Sequence, residues 1–330
     1  MTTPLRWGIL STAKIAREKV IPALRASAAH EIVAIASRTP EAAQAAAARF
    51  GIPVAHGSYD ALIADPRVEA IYNPLPNNLH VPLTLAAVRA GKHVLCEKPF
   101  AMHASELEVL RPYASQVHIR EAFMVRHHPQ WHAVRAHVHA GEIGALRYMQ
   151  VPFSYFNDDP ANIRNAPGVG GGGVYDIGGY AIVAGRWFFE ADPQRVVAMV
   201  DMDPTFGTDR LASALLDFGA GRQLAFTVGT LSFRYQRVQL VGTLGRIEIE
   251  TPFNPPEGGS ARYFIQSAGS AELRAISVPA ANQYTLQCDA FAHAVRHEPP
   301  TAAALDDAVT NMRTIEAVFG SAKSGRAETL

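Results

Sequence analysis

Short apolar runs alternate with helical stretches through the first 120 residues, and this alternation constrains the fold more than any other feature of the chain. Residues 5–10, 31–36, 70–73, 92–96 and 117–121 read as strands bounded by polar or turn-forming residues. Between them, residues 15–28, 40–50, 59–64, 78–90 and 105–115 read as helices. Gly91 stands where a left-handed residue closes the fourth helix. Strands joined through helices pair in parallel, so the expected fold class is α/β with a doubly wound parallel sheet.

The pattern changes after about residue 125. One helix is expected over 131–140, and β-rich runs then dominate at 146–156, 195–201, 211–218, 223–231, 237–241 and 246–250. Turn signals at Gly219-Ala220-Gly221-Arg222 and Gly242-Thr243-Leu244-Gly245 separate several of them. These runs predict an antiparallel sheet in a second domain, accompanied by helices over 176–188, 284–296 and 306–322. The expected division is 1–122 for the first domain and 123–330 for the second, with a C-terminal helix able to pack back onto the first.

The chain has 330 residues and a formal net charge of zero, so nothing in it calls for a polyanionic partner such as nucleic acid. No apolar run is long enough to cross a membrane. The N-terminus lacks the charged and apolar regions of a signal peptide, and Cys96 and Cys288 are the only cysteines, which predicts a cytoplasmic protein.

The strand ends carry the chemical signals. The turn after the first strand reads Ser11-Thr12-Ala13-Lys14-Ile15-Ala16, with Ser11, Ala13 and Ala16 at the usual glycine positions of a dinucleotide fingerprint. Small residues there allow a helix N-terminus to face a pyrophosphate, which makes Ser11, Thr12, Ala13, Lys14 and Ile15 candidate cofactor contacts. The second strand ends in Ser37-Arg38, where NAD enzymes usually carry a carboxylate. Ser37 can donate to a 2′-phosphate and Arg38 can pair with it, so the pair favours NADP. The strand ending at Asn73 runs into Pro74-Leu75-Pro76-Asn77, and His80 follows. Pro74, Leu75, Asn77 and His80 are candidate cofactor contacts, although Asn77 could equally cap the next helix and His80 could be a satisfied helix histidine. The next strand ends in Glu97-Lys98-Pro99, which aims a cation at the ligand crevice above a stiffened chain.

Together with the run Gly171-Gly172-Gly173-Val174-Tyr175-Asp176-Ile177-Gly178-Gly179-Tyr180, these motifs resemble the glucose–fructose oxidoreductase and inositol dehydrogenase (Gfo/Idh/MocA) family. Tyr180, where many members have His, resembles the branch holding NADP-dependent D-xylose dehydrogenase and dihydrodiol dehydrogenase. The segments 121–129 and 161–165 resemble that branch too. The resemblance implies an N-terminal Rossmann domain, a C-terminal α+β domain with a large open, mostly antiparallel sheet, and a Lys–Pro bond that is typically cis. It also implies hydride transfer with a nicotinamide, no metal, and association through the C-terminal sheet as a homodimer or homotetramer.

Alcohol oxidation releases a hydride and a proton, so a base must stand near the substrate. Asp176 and Tyr180 are four residues apart and share a helix face. A phenol of pKa about 10 is a poor base at neutral pH unless a cation favours the phenolate. The expectation is therefore Tyr180 as acid/base, Lys98 as its electrostatic partner and Asp176 as substrate anchor. Arg126, His127, Phe156 and Arg164 are candidate substrate contacts, and Glu97 and Lys98 also count as cofactor contacts. His127, His128 and His132 cluster, but no Cys or clear Glu partner has ligand spacing, so no metal site is expected. The expected reaction is NADP-dependent oxidation of an aldopyranose at C1 to its lactone. The rivals are oxidation of a dihydrodiol, reduction of a ketosugar or dicarbonyl, and a nucleotide-binding regulator without turnover.

Overall fold

The computed structural model describes residues 3–330. Along the chain come β1 (Leu5–Leu10), α1 (Ile21–Arg25), β2 (His30–Ala36), α2 (Pro40–Phe50), β3 (Val54–His56), α3 (Tyr59–Ile63), β4 (Ala70–Asn73), α4 (His80–Arg89), β5 (His93–Cys96) and β6 (Ile119–Glu121). Next are α5 (Pro129–His139), β7 (Leu146–Phe156), α6 (Gly179–Phe189), β8 (Arg195–Met202), β9 (Asp209–Asp217), β10 (Gln223–Gly229) and β11 (Leu231–Gln236). The chain ends with β12 (Val238–Gly242), β13 (Gly245–Ile249), β14 (Ala261–Ser267), β15 (Arg274–Val278), α7 (Gln283–His297), α8 (Ala303–Ser324) and β16 (Glu328–Thr329). Two compact units result: Met1–Met124 with Asn282–Val309, and Val125–Ala281 with Thr310–Leu330.

The first unit holds a six-stranded sheet in the order β3-β2-β1-β4-β5-β6. Every neighbouring pair in it is parallel. Its inner strands β1, β4 and β5 are buried on both faces, as their near-continuous apolar runs require, while the edge strands β3 and β6 are part-exposed. Gly8 lets α3 and its loop approach β1 closely, since a Cβ there would lie 2.6 Å from Leu62 and 3.0 Å from Val68.

Two expected helices differ in kind from an ordinary α-helix. The stretch 15–28 is a π-type turn, Ala16–Val20, followed by α1, which restarts beside Pro22, a residue with no amide to donate. The stretch 105–115 is a 3₁₀ run, Ala104–Tyr113, that contains Pro112. The C-terminal α7 completes this unit. Phe291 packs on Trp7 with ring centroids 5.4 Å apart. The Trp7 indole donates to His30 Nδ1 at 3.2 Å, and His30 Nε2 then donates to Asp289 at 2.9 Å. Arg296 donates to Glu69 at 2.9 Å and to the Pro4 carbonyl at 2.9 Å.

The second unit is built on a sheet ordered β15-β14-β13-β12-β7-β10-β9-β8-β16, with β11 also paired to β7. The β7–β10 pair is parallel and the other pairs are antiparallel. Side chains alternate between faces. Met149, Val151, Phe153, Ala212, Leu216, Phe226 and Val228 are buried on one face, which α6 covers so closely that a Cβ on Gly185 would lie 2.7 Å from Phe218. Tyr148, Val197, Met199, Leu211 and Leu215 are exposed on the other. Strands β11, β14, β15 and β16 lie outside the expected runs; β16 is two residues long, and β11, β14 and β15 each carry an arginine.

Candidate active site

In the first unit, candidate residues gather where the parallel strands end. Ser11 follows β1 with φ +93°, the left-handed conformation that glycine supplies in the usual fingerprint. Its hydroxyl accepts from the Ala13 amide at 3.1 Å, and its own amide donates to the Ala36 carbonyl at 2.9 Å. The turn thus keeps the shape of the glycine motif with a side chain bracing it. Lys14 is exposed and 4.0 Å from Glu18, one helical turn on. Thr12 and Ile15 are half-buried in the same turn, and the Thr12 carbonyl accepts from Arg17.

Ser37 is buried and Arg38 exposed at the end of β2, while Thr39 caps α2 by accepting from the Ala42 amide at 3.3 Å. Tyr59, which no motif marks, joins this corner. Burial raises its pKa, while the Arg38 charge and a hydrogen bond with Ser11 pull it down. Ser37 and Arg38 stand directly after β2 where an NAD enzyme usually carries a carboxylate, so the residues present fit a dinucleotide with a 2′-phosphate.

The end of β4 and the end of β5 are tied by His80. Its Nδ1 lies 2.8 Å from the Pro99 carbonyl and its Nε2 2.6 Å from the Leu75 carbonyl. Burial holds its pKa at about 4 despite both carbonyls. His80 is therefore a brace between two loops, and it acts on their conformation through Leu75 and Pro99. Asn77 is also not the cap: Pro76 holds the cap position, and Asn77 opens the 3₁₀ turn Asn77–Leu79. The Lys98–Pro99 bond is cis. Glu97 receives the fully buried Tyr72 hydroxyl at 2.7 Å, and its other oxygen accepts from the Lys98 amide at 3.3 Å. Burial first, and then the Glu97 charge, raise the Tyr72 pKa, so Tyr72 stays protonated and remains a donor to Glu97.

The second unit carries the other half of the candidate set. Asp176 lies in a π-type turn, Val174–Gly178, and Tyr180 in the first turn of α6. Asp176 Oδ2 accepts from the Tyr155 hydroxyl at 2.7 Å and from Arg164 Nε at 2.8 Å. Arg164 also lies within the electrostatic reach of Tyr180, so one guanidinium addresses both. Burial and the Asp176 charge raise the Tyr155 pKa and keep that phenol a donor. Tyr180 is buried, its ring 5.9 Å from Phe153 and 5.4 Å from Phe253 between centroids.

Strand alternation corrects one candidate. Tyr155 faces Asp176, so Phe156 points to the opposite face, where it is 63% exposed. Arg126 and His127 end a 3₁₀ turn, Met124–His127, ahead of α5. His128 caps α5, accepting from the Gln130 amide at 3.2 Å, and His132 packs edge-on against Trp187 at 5.5 Å. Asp209, also outside the sequence's candidates, is buried behind the glycine run and accepts from the Val174 amide at 2.7 Å.

The comparisons agree with this layout. Residues 5–126 match the family described as "Oxidoreductase family, NAD-binding Rossmann fold", and residues 131–248 match the GFO/IDH/MocA C-terminal domain. An uncharacterized oxidoreductase, ORF334, of Rhizobium meliloti is 43% identical over 99% of both chains. D-xylose 1-dehydrogenase (NADP(+)) 2 of Haloferax volcanii is 38% identical over 99% of this chain and 100% of its own. The crystal structure of KijD10, a 3-ketoreductase from Actinomadura kijaniata in complex with NADP and TDP-benzene, superposes with a TM-score of 0.90 at 31% identity, covering 97% of this chain and 98% of that one. A parallel sheet with a braced dinucleotide turn, a cis Lys–Pro at a strand end and an Asp–Tyr helix after a glycine run thus meet in one chain, which belongs to the Gfo/Idh/MocA family of oxidoreductases.

Proposed function

We propose that this protein is an NADP-dependent sugar dehydrogenase that oxidises an aldopyranose at C1 to the lactone, with D-xylose as the first substrate to test. The observation that carries this is the Tyr155–Asp176–Arg164 cluster beside Tyr180. It presents a fixed carboxylate, a guanidinium and a phenol, which suits a ligand with several hydroxyls. Ser37 and Arg38 at the end of β2 support NADP over NAD, and the braced Ser11 turn suits the pyrophosphate of either.

Bound NADP supplies the acceptor for the hydride that leaves C1. The chain's own residues manage the rest. Asp176 accepts a hydrogen bond from a substrate hydroxyl while Tyr155 and Arg164 keep its carboxylate oriented. Tyr180 takes the proton of the C1 hydroxyl as the carbon–oxygen bond becomes a carbonyl. Lys98 supplies the cation proposed to favour the phenolate, from a strand end where its backbone amide donates to Glu97 and Tyr72 also meets that carboxylate. In the reverse direction the same groups reduce a ketosugar, a reading favoured by the likeness to the ketoreductase.

The exposed face of the second unit's sheet is the proposed subunit interface. Val197 and Leu215 are register partners across β8 and β9, and Met199 is 79% exposed on the same face. Such an apolar stripe suits a second copy of the chain. Initial rates with free sugars, inositols and dihydrodiols, each with NADP and NAD, test the reading. D-xylose turnover preferring NADP supports it, and inactivity on every polyol overturns it.

A further inference from the structure

We propose that Asp209 is a positioning residue for the reaction: its carboxylate grips the amide end of the Val174–Gly178 turn and so sets where Asp176 and Tyr180 stand. Asp209 opens β9, far from the glycine run in sequence, and is 2% exposed. Its Oδ2 accepts from the Val174 amide at 2.7 Å, and the Gly173 amide and its own amide also donate to the carboxylate.

The glycine run is shaped around this carboxylate. Gly172 has φ +112°, and a Cβ there would overlap Asp209 Oδ1. A Cβ on Gly173 would lie 3.2 Å from Oδ2. On its other side the run is pinned to the segment that carries Arg164: Gly172 donates to the Arg164 carbonyl at 2.8 Å and Gly171 to the Ala166 carbonyl at 3.0 Å. Asp176 in turn donates its amide to Gly172 at 3.1 Å. One buried anion therefore holds a turn whose next residues bind substrate. Charge matters here because backbone amides bind an anion more strongly than a neutral acceptor.

The grip is also sensitive to pH. Burial pushes the Asp209 carboxyl up to about 7, the amide donors pull it down, and the Asp176 carboxylate adds to the rise. Tyr155 of β7 also feels Asp209, Arg164 is paired with Asp176, and Arg210, next along β9, is paired with Asp201 and lies 3.9 Å from Asp203. As pH falls through 7, Asp209 takes a proton while staying buried: the fold is relieved of a buried charge, but the charged grip on the turn weakens and the turn loosens locally.

The inference rests on the reading of Asp176 and Tyr180 as substrate anchor and acid/base, so its test includes a measurement free of turnover. Hydrogen exchange of the 171–181 peptide, corrected for intrinsic rates, is followed from acid to alkaline pH in the wild type and in Asp209→Asn. Protection in the wild type is expected to rise roughly five-fold or more through pH 7 and to stay flat in the variant, as expected for loss of charge-assisted bonds. With D-xylose and NADP, Asp209→Asn should lower kcat/KM about ten-fold, with kcat falling as well as KM rising because Tyr180 shifts with Asp176, and should remove the same pH limb from kcat/KM. Equal protection in both proteins at every pH overturns the proposal, whatever the kinetics. Turnover retained by Tyr180→Phe overturns the acid/base assignment and leaves the exchange result to decide on Asp209. If Asp209→Asn does not fold, a wild-type exchange profile without a step near pH 7 is sufficient to reject the inference.

Discussion

The two units hold their candidate functional residues by different means. In the first, the backbone does most of the work. Carbonyls of Leu75 and Pro99 meet His80, and short loops at strand ends carry Ser11, Ser37 and Lys98. In the second, side chains from distant segments converge: Tyr155 from β7, Arg164 from a 3₁₀ turn, Asp176 from a π-type turn and Asp209 from β9. A site made by strand ends is tolerant of side-chain changes that spare the loop. A site made by converging side chains should fail at any member.

The largest expected effect tests that contrast directly. Tyr180→Phe should lower kcat about a thousand-fold or more while NADPH binding, read by fluorescence titration, stays unchanged. Next, Tyr155→Phe leaves Asp176 with one fewer donor, and kcat/KM for D-xylose should fall roughly thirty-fold. A loss under two-fold would mean that the cluster is not the substrate anchor. Arg38→Ala should weaken NADP about ten-fold and leave NAD nearly unchanged, because it removes a phosphate contact from an exposed loop without disturbing the loop. Equal losses for both cofactors would contradict the 2′-phosphate assignment.

The smallest effect concerns stability against pH. His80, His93 and His128 are held at pKa about 4, each chiefly by burial. The unfolded chain protonates them near 6.5, so their contribution is complete above that pH and is lost as pH falls toward 4. Asp209 opposes this slope, since its raised pKa favours the folded state as pH drops below 7. Three groups against one predict a Tm that declines between pH 6.5 and 4.5, and a steeper decline in Asp209→Asn. A Tm that is flat over this range would place the histidines in more solvated settings.

The same contrast explains what could be read in advance. Strand ends announce themselves through punctuation: Pro74, Pro76, Pro99 and the Ser37-Arg38 pair all break apolar runs, so the parallel sheet and the first unit's candidates were legible. The bracing role of His80 was open, because a histidine in a helix looks the same whether it meets a loop carbonyl or a ligand. In the second unit, Tyr155 and Phe156 are adjacent aromatics at a strand end, and only the face each one takes separates them. Asp209 was invisible because nothing local marks an acid that serves a turn more than thirty residues upstream. The small-residue run Gly171-Gly172-Gly173 did signal a close approach, but not that the approaching atom is a carboxylate.

The return of α7 to the first unit has a consequence for how the chain is made. Trp7, His30 and Glu69 find Phe291, Asp289 and Arg296 only after nearly the whole polypeptide has left the ribosome. The nucleotide-binding sheet is synthesised first but finished last. Through most of translation Trp7 lacks the ring that covers it, His30 lacks its Asp289 acceptor and Glu69 keeps only Arg6 of its two arginines, so the nascent N-terminal half shows apolar surface of the kind chaperones shield.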